Sequence, residues 1–259
     1  MKEYCKKALR RKNMPEKSPL TAKEKLIKDI LLTQIESVKT GPEEKKKIWK
    51  EGSTIKSTQH YGSKFKRALD PDMSDIAIAF YKALYKDTIL KDKREILLED
   101  GSIIDREFAG DTILTVKSLR YVYSRNNDTD ESELEKCFQH VDEKIHCLAN
   151  FWVIPMRHGR RSKKLNYYDS PDLYLEKIRN NFDEYKEMFP KFFDKYSVSD
   201  MVRDLCFEES EQRRKQIADR DINIFRSYEE AMDERADLLA RDKTDELYEL
   251  FSTYGLTDR

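Results

Sequence analysis

At 259 residues the chain is long enough to bury a full core, and its 14 Tyr and 12 Phe supply anchors that a disordered polar chain lacks. Only 7 Gly and 7 Pro interrupt it, which favours long helices over a many-stranded β fold. The longest apolar stretch, residues 148–156, contains Asn150 and falls short of the roughly 18 residues that a membrane span requires, so no membrane association is expected.

The formal net charge of zero conceals an asymmetry. Residues 1–67 carry 19 Lys and Arg against 8 Asp and Glu, whereas residues 200–259 carry 10 against 17. Two readings follow: a basic binding end, or two ends that lie side by side and neutralise each other. The four cysteines (Cys5, Cys137, Cys147 and Cys206) form no C-x-x-C pair, and the charged start has no apolar signal region. Reduced thiols in a cytoplasm are the expectation.

In chain order, residues 1–20 read as a basic arm or a short helix over 3–12, and residues 21–259 as a single, mainly helical domain. Thr21 and Glu24 have the spacing of a capping box. Leu26, Ile27, Ile30, Leu31, Ile35 and Val38 then recur at helical spacing until Gly41-Pro42 stops them. Residues 43–50 predict a short helix anchored by Trp49, and the Ser/Thr-rich residues 52–62 a loop. After Asp70-Pro71, Ser74 is expected to cap a helix that buries Ile76, Phe80, Ala83 and Leu84.

The β signals come next. Ile96-Leu97-Leu98 and Ile103-Ile104 flank Asp100-Gly101, a dipeptide suited to a type I′ hairpin. Beyond a polar break at 126–130, Leu134, Phe138, Val141, Ile145 and Leu148 form a helical stripe expected to end near Asn150. Phe151-Trp152-Val153-Ile154 reads as a buried strand closed by Pro155. Ser170-Pro171 has the cap-then-proline order of a helix start, and Tyr174, Leu175, Ile178, Phe182, Tyr185 and Phe189 continue it as one aromatic face. Helical stretches over 199–218 and 227–251 complete the chain. The fold class is therefore α+β, predominantly α-helical, with one small sheet built from the hairpin and the Phe151 strand.

Few residues carry a chemical signature. No nucleophile elbow, phosphate loop, dinucleotide glycine pattern or H-E-x-x-H is present, so no cofactor is expected. Cys137, His140 and Cys147 share one side of a helix, but His140 and Cys147 lie roughly 10 Å apart along a continuous one. Zinc ligands sit about 2 Å from the metal, so no metal site is expected there. Phe108-Ala109-Gly110-Asp111-Thr112 reads as a compact turn. It could present the Asp111 carboxylate, the candidate acid/base, beside the Thr112 hydroxyl; the alternative is that either residue caps a helix starting near Ser118.

The strongest charged feature is residues 157–164, where Arg157, Arg160, Arg161, Lys163 and Lys164 follow the buried strand and precede Tyr167-Tyr168. Arginine forks match phosphate oxygens and aromatic rings stack on bases, which points to an anionic partner such as nucleic acid. The alternatives are an enzyme acting on a phosphate-containing substrate, and a structural or regulatory module with a protein partner. A solvated loop facing the acidic C-terminal helices would explain the cluster without any ligand.

The run Leu148-Ala149-Asn150-Phe151-Trp152-Val153-Ile154-Pro155, with its basic loop and Asn166, resembles a segment of a bacterial protein family without an assigned activity. In that family a Gly-Asp-Thr turn precedes an Asn-Phe-Trp-x-x-Pro strand and an aromatic-rich helix. The matching segments here are 108–112, 148–155 and 173–193, about the middle third of the chain. The resemblance implies only that they form one structural unit; Asn150, with Thr112 and the basic residues of 157–164, is a candidate ligand-binding residue. A more distant similarity is to His-Asn-His nucleases, but the Asp-His-x-x-Pro motif they need is missing and Ala149 stands where glycine is usual.

Overall fold

The computed structural model describes residues 18–38, 48–58, 71–85, 95–97, 103–105, 108–113, 131–155, 171–205 and 223–258. Among them helices dominate, with strands confined to three small ladders. That is the expected α+β class.

The first helix, α1 (Ala22–Leu31), begins as its sequence predicts. The Glu24 N–H donates to Thr21 Oγ1, and Glu24 Oε2 accepts from the Thr21 N–H at 2.7 Å. Those two Thr21 groups, backbone first, hold the Glu24 carboxyl below its ordinary range. Ile27, Ile30 and Leu31 are its buried face.

The helix then stops short of the predicted stripe. Ile35 and Val38 belong to a strand, β1 (Gln34–Val38), rather than to two more helical turns. Two further departures share one cause. Residues 48–50, expected in a helix, lie in β2 (Ile48–Glu51), and the expected loop contains β3 (Thr54–Thr58). β2 and β3 pair antiparallel around Gly52-Ser53, and β1 lies parallel on the other side of β3. Gly52 has φ +58°, which the two-residue connection demands and which a side chain would resist even in the open space around it. Pairing on both sides of β3 satisfies the backbone groups that an isolated helix would have satisfied internally.

Of the hairpin, β4 (Glu95–Leu97) and β5 (Ile103–Asp105) pair antiparallel, while Asp100-Gly101 lies outside the described residues. Among the described residues, the hairpin and the Phe151 strand lie in separate ladders rather than in the predicted single sheet. The strand β7 (Phe151–Pro155) pairs with β6 (Phe108–Thr112) and not with the hairpin. Phe151, Trp152, Val153 and Ile154 are all buried. In register, Ala109 lies opposite Ile154 and Gly110 opposite Val153.

Between the ladders run α2 (Asp75–Tyr85), entered through a 3-10 turn at Pro71–Met73, and α3 (Glu131–Ile145). Ile76 and Phe80 of α2 are buried as expected, whereas Ala83 and Leu84 are only half-buried. A second 3-10 turn, Leu148–Asn150, separates α3 from β7. The aromatic-faced helix starts at Pro171 as predicted but breaks into α4 (Pro171–Asn180), α5 (Phe182–Met188) and α6 (Pro190–Lys195). Pro190 supplies no N–H and can only begin a helix, so the face folds back on itself. Phe182, Phe192, Phe193, Tyr185 and Tyr196 then meet edge to face. After α7 (Val198–Leu205), the last expected helix divides at Lys243 into α8 (Ile224–Asp242) and α9 (Thr244–Thr253).

The helices α8 and α9 pack on α1. Lys23 reaches Asp245 at 2.7 Å, and Lys28 reaches Asp233 at 2.9 Å and Asp237 at 2.8 Å. Arg241 donates to the Ser18 carbonyl at 2.6 Å. Two lysines of the basic end thus meet three carboxylates of the acidic end. Among the described residues, no helix is long and apolar enough to cross a membrane.

Candidate functional site

The β6–β7 ladder determines where the candidate residues stand. Asp111 faces Trp152 across the ladder and Thr112 faces Phe151, and the Ile113 N–H then donates to the Asn150 carbonyl at 2.7 Å. Asp111, Thr112 and Asn150 are therefore neighbours at one end of two paired strands. The predicted Gly-Asp-Thr turn is instead extended strand, because β7 supplies the hydrogen bonds that a turn would have closed locally. The helix that Asp111 or Thr112 was expected to cap falls within residues 114–130, outside the described residues, as do Arg157, Arg160, Arg161, Lys163 and Lys164.

Asn150 is 1% exposed. Its Nδ2 donates to the Ile145 carbonyl at 2.7 Å, one of the acceptors that the end of α3 leaves unused, and its backbone N–H donates to the Cys147 carbonyl at 3.0 Å. The side chain ties helix, turn and strand together. Trp152, fully buried, meets the Tyr174 ring edge to face at 6.0 Å, which fastens β7 to α4. Those two elements bracket the basic residues in the chain.

Two residues whose place in the core the sequence reading did not foresee lie at the same turn. Arg235 of α8 is fully buried, and its Nη1 donates to the Ala149 carbonyl at 2.7 Å. The available signal was its spacing: Tyr228, Met232, Arg235, Ala236 and Leu239 lie on one buried stripe, so the arginine had to enter the core. The second is Cys147. The helix α3 ends at Ile145, five residues before the predicted stop, so Cys147 is no longer on it and opens the 3-10 turn. Burial pushes its thiol up to about 11, although the Asn150 and Ala149 N–H groups and the Arg235 charge pull the other way. The thiol stays protonated near neutral pH and is a poor nucleophile.

A cleft of about 540 Å³ opens beside this turn, lined by the apolar Leu32, Cys147 and Met232 and by charged groups including Lys144, Glu229 and Asp233. Glu229, Glu230 and Asp233 among them have cation partners. Glu229 meets His140 at 2.9 Å and Lys144 at 3.2 Å, and Asp233 meets Lys28. Exposed His140 thus engages α8, while Cys147 is enclosed below. Among the described residues no three His, Cys, Asp or Glu side chains are grouped to hold a metal ion.

A further polar group was not anticipated. Ser57, Thr58, Asp72, Ser74 and Asp75 are all buried where β3 meets the start of α2. The expected cap residue, Ser74, donates to the Pro71 carbonyl at 2.7 Å, while Ser57 Oγ accepts the Ile76 N–H at 3.2 Å. The cap of α2 therefore comes from a strand 19 residues away, placed there by the sheet. Thr58 Oγ1 donates to the Asp75 carboxylate, and the Tyr81 hydroxyl donates to the Asp72 carbonyl at 3.0 Å. Burial, and then the Asp75 charge, raise the Tyr254 hydroxyl above its ordinary value. A carboxylate in the first turn of α2 favours the positive end of the helix dipole. The 3-10 turn that carries Asp72 packs on β6, so this cluster adjoins the strand of Asp111.

No family model, curated protein or solved structure matches the chain.

Proposed function

We propose that the chain is a binding module for an anionic partner, nucleic acid being the favoured class, and that Arg157, Arg160, Arg161, Lys163 and Lys164 make the contact. The observation that carries this reading is the pairing of the acidic C-terminal helices. Their carboxylates Asp233, Asp237 and Asp245 are served by lysines of α1, and Glu229 by His140 and Lys144 of α3. Those four carboxylates have partners other than the basic residues between β7 and α4. The buried Phe151 to Ile154 strand and the Trp152–Tyr174 contact support the same reading, since they fix both flanks of that segment in the core. A reducing cytoplasm suits the thiols of Cys137 and Cys147, neither of which is in a disulfide.

The test is a triple Arg157→Ala, Arg160→Ala and Arg161→Ala variant, titrated with a labelled polynucleotide at two salt concentrations. Each lost phosphate contact removes about 0.9 from the slope of log affinity against log salt, so the slope should flatten by roughly 2 to 3. On this reading the arginines serve the ligand and not the fold, so melting should shift little. A destabilised variant with unchanged affinity would show instead that the arginines serve the fold.

A second reading is favoured by the adjacency of Asp111, Thr112 and Asn150 on the ladder that leads into the basic segment. There the protein is an enzyme acting on a phosphate-containing substrate, with Asp111 as acid or base and arginine stabilising phosphate charge. Asp111→Asn should then abolish turnover of a phosphate ester while leaving polynucleotide affinity intact.

A further inference from the structure

We draw no further inference here: the strongest candidate, the cleft where the end of α1 meets α3 and α8, is a cluster of acidic side chains in which Glu229, Glu230 and Asp233 already pair with Lys144, Arg226 and Lys28, and nothing in the structure shows what would cover it.

Discussion

Arg235 and Cys147 show how one position can be governed by its neighbours rather than by its residue type. The Arg235 guanidinium sits fully buried against the Ala149 carbonyl. Arg235→Met keeps an apolar stem but leaves that carbonyl without its donor, which should cost about 1–3 kcal/mol. Arg235→Ala also opens a cavity and should cost roughly 3–5 kcal/mol. Urea denaturation of both variants checks the order; equal losses would mean that only volume matters at this site. Cys147 gives a pH test. Its thiol titrates at about 11 when folded against 9.0 in the reference state. The raised value means that the folded chain holds this proton more tightly, so the contribution to stability is complete below about pH 9 and lost as pH rises towards about 11. Between those limits the slope for one proton is roughly 1.4 kcal/mol per pH unit. The parent should therefore lose more stability between about pH 8 and about pH 10 than Cys147→Ala, as read by urea midpoints. Parallel losses would contradict the burial of the thiol.

At the scale of elements, local and borrowed signals separate cleanly. Thr21 caps α1 from within its own first turn, so the residues that cap it were readable as a capping box. The start of α2 is different, since the Ser57 hydroxyl arrives from β3 while Ser74 serves the preceding carbonyl. Ser57→Ala should strand a buried N–H at a cost of roughly 1–3 kcal/mol. Hydrogen exchange localises the effect: the Ile76 amide should lose protection in Ser57→Ala and keep it in Ser74→Ala. Loss of protection in the Ser74 variant alone would restore the local cap. The aromatic helices follow similar logic. Their periodicity was visible, but Pro190 and the Asn181 and Lys243 breaks decide how many helices carry it.

At the scale of the whole molecule, two lysines of α1 meet carboxylates of the acidic helices α8 and α9. Desolvation acts to lower the Lys28 ammonium, yet its hydrogen bonds and charge contacts with Asp237 and Asp233 outweigh it and hold the group above its ordinary value. Removing the lysine leaves two carboxylates facing α1 with no counter-charge from this position. Lys28→Met should therefore lose about 0.5–1 kcal/mol in dilute buffer. At about 1 M salt the Debye length falls to roughly 3 Å, and the difference from the parent should shrink. A salt-independent loss would assign the effect of Lys28 to the packing of its stem rather than to charge.

The sequence by itself determined the α+β class, the starts of α1 and α4, the burial of Phe151 to Ile154 and the pairing of the hairpin flanks. Each of these is encoded within a few residues, by a period of 3.6, by a cap, or by an apolar run next to a proline. Only the tertiary structure decided that Ile35 and Val38 extend as strand, that β7 takes β6 as its partner, and that Arg235 lies in the core. The adjacency of Asp111, Thr112 and Asn150 was decided in the same way. The physical reason is the distance along the chain between the groups that satisfy one another. The Ile35 N–H finds its acceptor at His146, and the Arg235 guanidinium finds the Ala149 carbonyl 86 residues away. No local pattern records a hydrogen bond whose partner is brought up only when the core closes.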